Sequence, residues 1–231
     1  MKILIVDCET TGIDAEAELL EFAALVRDHD GKVKGHYSAL VLPDVSIPPE
    51  ASAVHNITDD VLYDEGAFTR PQITALITKV AADCDFIAAH NAKFDKQFLP
   101  ELADHTWICT CTVAKHLWPE APNYSLGTLR YWRGLNIKHK GVPHRAAYDA
   151  VIAAHLLNDE LNAVGGDDID TLVELTNTLP ILRVCHFGKH RGTPWAEVPR
   201  DYLAWMQRQH DSGQEFDAEV IHTARHYLGK E

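Results

Sequence analysis

Three extended segments open the chain with no helix between them, and everything after them alternates between strand and helix. Lys2 to Cys8 is a run of Leu, Ile and Val closing on the turn Thr10-Thr11-Gly12, and reads as a buried strand. Leu19 to Arg27 and Lys32 to Leu42 are two further extended segments, parted by Asp28-His29-Asp30-Gly31, a turn of hairpin length. Past Pro43, Pro48 and Pro49 the pattern turns helical. A short helix spans Glu50 to Val54, Thr58-Asp59-Asp60 caps another before Val61, and Pro71 introduces a helix from Gln72 to Ala82 with Ile73, Leu76, Ile77 and Val80 on one face. A strand from Asp85 to Ala89, a helix from Ala92 to Leu102, a strand from Trp107 to Cys109, helices Thr112 to Leu117 and Ser125 to Arg133, and a long helix from Ala146 to Leu161 follow. A three-strand meander and then alternation predict an α/β fold built on a mixed sheet.

The chain has 231 residues, enough for one full core and a small appendage. Gly165-Gly166-Asp167-Asp168 is the best linker, followed by a helix from Ile169 to Thr176. After Pro180 a short strand from Leu182 to Phe187, the turn Gly188-Lys189-His190-Arg191-Gly192 and two helices near Asp201 to His210 and Glu215 to Leu228 make a small α+β unit. The expected division is residues 1–165 and 166–231. No apolar run reaches membrane-spanning length and the N-terminus lacks a leader pattern, so a cytoplasmic protein with no membrane partner is expected. Five cysteines, an odd number without paired C-x-x-C, predict reduced, buried thiols.

Asp7 and Glu9 stand two apart on a strand, so both side chains leave the same face. Asp95 opens the helix after the strand Asp85 to Ala89, and Asp149 lies early in the long helix, five residues after His144. Acids at helix starts are ordinarily dipole partners. What joins these four is that Lys2 to Cys8 and Phe86 to Ala88 are buried-type strands that would neighbour each other in one sheet, and C-terminal strand ends are where ligands collect in α/β folds. Four converging carboxylates repel one another unless cations fill the site. Two divalent ions are the simplest compensation, an arrangement suited to in-line phosphodiester displacement, and His144, on a loop after Pro143, supplies an imidazole able to take a water's proton.

With Asp7-x-Glu9, Asp95 within His90-Asn91-Ala92-Lys93-Phe94-Asp95, and His144-x4-Asp149, the chain resembles the DEDD superfamily of 3′-to-5′ exonucleases. The resemblance is to the DEDDh branch, because the position four before Asp149 is Arg145, where the other branch carries Tyr. Ala53-Val54-His55-Asn56-Ile57-Thr58, Trp107-Ile108-Cys109-Thr110, Leu117-Trp118-Pro119 and Phe187-Gly188-Lys189-His190-Arg191-Gly192 extend the similarity along nearly all the chain, toward the exodeoxyribonuclease X group of that branch. The resemblance implies a ribonuclease H-like mixed five-stranded sheet flanked by helices, and two Mg²⁺ or Mn²⁺ ions held by Asp7, Glu9, Asp95 and Asp149. It also implies His144 as general base and DNA with a 3′ end, single-stranded or a duplex with a 3′ overhang, as substrate. The backbone at Thr10 and Thr11 would meet the terminal 3′-hydroxyl, His55, His90, Asn91 and Phe94 would line the last nucleotide's pocket, and Ile13 would wedge against a terminal base pair or else anchor its loop. An RNA-trimming enzyme of the same fold stays open, because sugar choice is a detail of pocket geometry. A catalytically idle binding module is the other alternative, although all four acids and the histidine are present.

A formal charge of −13 argues against a passive nucleic-acid binder. Between Lys115 and Arg145, however, six cations (Lys115, Arg130, Arg133, Lys138, Lys140, Arg145) face one acid, Glu120, among Trp118, Tyr124, Tyr131 and Trp132. Basic residues interleaved with aromatics suit a DNA backbone track. The Gly188 to Gly192 turn, with Lys and Arg between glycines, is a candidate contact for phosphate or a partner protein, its alternative being a plain turn. His186 and His190, and His222 and His226, have helical metal spacing but no accompanying Cys or acid.

Overall fold

The computed structural model describes residues 1–166 and 168–230; Asp167 of the expected linker lies outside the described residues. Strands β1 (Ile3–Thr10), β2 (Leu19–Arg27) and β3 (Val33–Leu40) form the meander. With β4 (Phe86–Ala89) and β5 (Thr106–Cys109) they make one sheet of order β3-β2-β1-β4-β5. β1 runs antiparallel to β2 and parallel to β4, and β4 parallel to β5, the mixed five-stranded α/β sheet expected. Helices α1 (Pro49–His55), α2 (Asp59–Glu65), α3 (Arg70–Ala81), α4 (Ala92–Phe98), α5 (Thr110–Leu117), α6 (Leu126–Trp132), α7 (Ala146–Ala163), α8 (Ile169–Asn177), α9 (Arg200–Asp211) and α10 (Ala218–Leu228) surround and extend it.

Strand alternation decides what each face meets. Leu4, Val6 and Cys8 pack with Ile73 and Ile77 of α3 and with Ala92 and Phe98 of α4, while Ile3 and Ile5 pack with Ala146, Ala150, Ala153 and Leu157 of α7. Asp7 and Glu9 continue the odd-numbered set and so emerge on the α7 side. β1 outruns its parallel neighbour: pairing with β4 covers Ile3↔Phe86 to Ile5↔Ala88 and stops. β2 follows β1 as far as Thr10, with a register shift between Glu9 and Thr10.

Three expectations need correction. The helix from Ala92 ends at Phe98, because Pro100 has no N–H to continue it, and Pro100–Leu102 is a separate 3₁₀ turn. The helix expected to begin after Pro71 starts at Arg70, where Thr69 and Gln72 form a capping box. Leu182 to Phe187 is not a strand. Among the described residues it finds no partner strand, only the bridge Val184↔Pro194, and its backbone bonds close a loop in which Cys185 N–H donates to Thr193 and Gly192 N–H to Cys185. The C-terminal unit is therefore mainly α9 and α10 around Leu182, Cys185, Trp195, Leu203 and Met206. α8 follows the expected division at residue 165, yet its Ile169 and Leu172 join the α7-side core. Among the described residues no helix is long and apolar enough to cross a membrane.

Candidate active site

Asp7 and Glu9 from β1 and Asp149 from the first turn of α7 bring carboxylate oxygens within 4.8 Å of one another. Asp95, on α4 and 2% exposed, stands outside that trio. Its carboxylate lies beside Cys8 of β1, whose backbone and thiol partly offset the cost of burying its charge, and its charge acts on Asp7. Burial first, then the charges of Asp95, Asp149 and Glu9, hold the Asp7 pKa well above the usual carboxylate range. Burial, followed by Asp149, pushes Glu9 up to about 8; burial pushes Asp95 up to about 8 and also raises Asp149. Oxygen-only ligands with mutually opposed charges fit a hard divalent cation.

These shifts have a sign. Acids whose folded-state pKa is raised contribute stability at low pH and lose it as pH climbs from the ordinary carboxylate range through about 8. The chelated protein should accordingly melt at falling temperature across that window, and Mg²⁺ or Mn²⁺ should raise the melting temperature more at about pH 8 than at about pH 5. Scanning fluorimetry reads this directly. A melting temperature indifferent to divalent ions at both pH values would mean the acids hold no cation.

His144 is exposed and adopts φ 59°, the left-handed region that few non-glycine residues visit. Its backbone N–H donates to Asp149 Oδ2 at 3.1 Å, so the loop bearing the imidazole is tied to a carboxylate of the trio. Three residues earlier Gly141 lies so close on Tyr148 of α7 that a Cβ there would collide with the ring, and on the other side Arg145 donates two hydrogen bonds to Glu21, each 3.0 Å.

The exonuclease family model of RNase T type matches residues 4–157. Exodeoxyribonuclease 10 of Escherichia coli (strain K12) is 36% identical over 229 residues, 97% of each chain, and DNA polymerase III subunit epsilon of Treponema pallidum is 32% identical over 161 residues, 65% of this chain and 72% of that one. The chain belongs to the RNase T exonuclease family. Among solved structures, Exonuclease X in complex with 5′ overhanging duplex DNA superposes with TM-score 0.63 at 34% identity, covering 75% of this chain and 99% of that one. E. coli Exonuclease I with a dA16 oligonucleotide, TM-score 0.58 at 18% identity over 70% of this chain and 40% of that one, shares the fold. The exonuclease is thus a divalent-metal-dependent enzyme of ribonuclease H-like fold.

Around the acids of this exonuclease, the remaining predicted residues divide. Thr10 and Thr11 are buried and clamp the turn after β1: Thr10 Oγ1 donates to Gly12 at 2.5 Å, and Thr11 Oγ1 accepts the Glu18 N–H at 2.9 Å. His55, 2% exposed, accepts the Ile57 N–H on Nδ1 and turns its Nε2 toward the Thr10 backbone. Ile13 is 84% exposed, which removes the loop-anchor alternative. Asn91 caps α4 at φ 66°, and Phe94 packs on Phe98 at 5.1 Å.

His90 is different. Its Nε2 meets the Tyr124 carbonyl and its Nδ1 the Thr110 hydroxyl, both at 2.9 Å. A carbonyl only accepts, so Nε2 carries the proton, and burial lowers the pKa to about 4. With both nitrogens engaged, His90 braces α5 and the Tyr124 loop and has no free ring nitrogen for a nucleotide.

Half of the expected basic track is paired with acids. Arg145 is paired with Glu21, Arg133 with Asp159 at 2.7 Å and Lys115 with Glu219 of α10 at 2.6 Å, while Arg130 donates to the Tyr148 hydroxyl. Lys138 and Lys140 stay exposed without an ion pair among the described residues.

Glu21 was not among the expected site residues. It sits opposite Glu9 in the β1–β2 ladder, is 2% exposed, and besides Arg145 accepts the Ala146 N–H at 3.0 Å. One carboxylate thereby caps α7 and anchors the residue after His144.

Proposed function

We propose that this chain is a 3′-to-5′ exodeoxyribonuclease that hydrolyses phosphodiester bonds at DNA ends and releases 5′-mononucleotides in end processing or repair, in the cytoplasm. The convergence of Asp7, Glu9 and Asp149 within 4.8 Å, with the His144 loop tied to Asp149, carries this reading. Asp7, Glu9 and Asp149 would hold one Mg²⁺ or Mn²⁺, and Asp7 with Asp95 a second. When bound, such ions offset phosphate charge and make a water easier to deprotonate. His144, from its exposed loop, takes that water's proton. The backbone of Thr10 and Thr11 receives the 3′-hydroxyl, His55 Nε2, Asn91 and Phe94 border the terminal nucleotide, and Ile13 stands where a base pair would be parted.

The test is incubation with 3′-labelled single-stranded DNA, duplexes with 3′-overhanging and with recessed 3′ ends, and RNA, with Mg²⁺, Mn²⁺ or chelator. Metal-dependent release of mononucleotide from DNA is expected, and no release from any substrate would refute the reading. Glu21 adds a second prediction. Glu21→Ala leaves Arg145 unpaired and α7 uncapped, and should lower stability by roughly 3 kcal/mol in thermal unfolding. Arg145→Lys keeps the charge but not the fork, so it should fold and show a reduced kcat at nearly constant KM.

A further inference from the structure

The C-terminal unit has no part in the chemistry above, yet one of its faces is built unlike a plain surface. On α9, Trp205 is 39% exposed and stacks on Tyr202, ring centroids 5.3 Å apart and planes at 26°. The Gly188–His190 turn folds onto the same tyrosine: Lys189 Nζ stands 4.9 Å from its ring centroid and His190 meets it edge-on at 4.5 Å. Gly188 permits that approach, with φ +59° and an added Cβ only 3.0 Å from the Tyr202 hydroxyl.

Lys189, Arg191 and, three residues after Trp205, Arg208 are all exposed. None has a carboxylate partner among the described residues, whereas Lys115, Arg133 and Arg145 all do. The nearby Asp201 is engaged locally, accepting the Tyr202 N–H at 2.8 Å. A solvent-facing indole among uncompensated cations matches the alternating base and phosphate of a single strand.

Its location agrees. Lys115 of α5 holds Glu219 of α10, and a cleft of about 600 Å³ is lined both by Asn91, Lys93 and Lys96 and by Asp217 and Glu219. α4 and α5 begin at the C-terminal ends of β4 and β5, the end of the parallel strands that carries Asp7 and Glu9. The C-terminal unit is mounted at the catalytic end of the sheet.

We propose that Tyr202, Trp205, Lys189 and Arg191 form a second nucleic-acid site, a stacking platform that grips single-stranded DNA behind the 3′ end being cut. The inference rests on the nuclease reading above. It is tested in the full chain by fluorescence anisotropy in chelator, using oligo(dT) of about 20 nucleotides and of about 4, and by metal-supported hydrolysis of both. Trp205→Ala should weaken binding of the long oligomer about tenfold and leave hydrolysis of the short one unchanged, while Trp205→Phe restores most of the affinity. Replacing Lys189 and Arg191 by Ala should flatten the logarithmic salt dependence by about 1.4, two phosphate contacts on a single strand.

Wild-type affinity in Trp205→Ala, or an equal loss on long and short oligomers, would overturn the platform, as would capture of a protein ligand with no DNA effect. Failure of the nuclease reading would look different: the wild-type chain itself would hydrolyse neither oligomer.

Discussion

Asp7→Asn should cut DNA hydrolysis by ~10³-fold or more, on the order of 4 kcal/mol of transition-state stabilisation, while the chelated variant melts above the chelated wild type at about pH 8. Both halves come from one cause. Asp7 is the carboxylate on which Asp95, Asp149, Glu9 and Glu21 all act, each charge raising its pKa on top of burial. Asparagine keeps the size, removes the charge and relieves that repulsion in the absence of a cation. The same change weakens the cation's hold, so the rise in melting temperature on adding Mn²⁺ should shrink in the variant. Mononucleotide release and scanning calorimetry on the two proteins measure it. Activity within tenfold of wild type would take Asp7 out of the site, and a chelated variant melting below wild type would make it a structural acid.

His144→Asn should lower kcat by about 10² to 10⁴-fold with KM and the Mn²⁺-induced rise in melting temperature unchanged. The choice of asparagine matters because residue 144 sits at φ 59°, a conformation asparagine tolerates better than most residues with a Cβ. The backbone N–H to Asp149 at 3.1 Å survives the substitution, so metal ligation is untouched. The imidazole is exposed, so little packing is lost and the melting temperature of the apo protein should hardly move. A near-normal rate would place the base elsewhere; loss of the Mn²⁺ response would show that the loop, and not the proton, had been disturbed.

Much of this was legible in the sequence for physical reasons. β2 is legible to its observed ends because Leu19 to Arg27 is apolar apart from Glu21 and the terminal Arg27 and is bounded by polar turns. Asp7 and Glu9 were readable because a period of two puts both on one face whatever the rest of the fold does. Chains of contact were not readable. Counting cations between Lys115 and Arg145 could not reveal that Glu21, Asp159 and Glu219, from distant parts of the chain, already neutralise three of them.

The sequence does carry a signal for Glu21: a lone carboxylate in the apolar run LLEFAALVR needs a partner if it is buried, and the structure buries it with one. The motif places His90 only by neighbourhood, while its hydrogen bonds depend on Thr110 and Tyr124, which only folding brings near. Leu182 to Phe187 has strand-like composition, but a strand exists only where another lies beside it.

The brevity of β4 gives Asp95 its place. Had β4 continued alongside β1 past Ile5↔Ala88, the next ladder bonds would have taken up the flank of β1 that carries Cys8. Instead the Asp95 carboxylate lies beside the Cys8 backbone, so a side chain from α4 stands where backbone would otherwise be. The gap in the sheet is a socket, and any insertion that lengthened β4 by a residue or two would fill it with main chain and evict an acid from the centre.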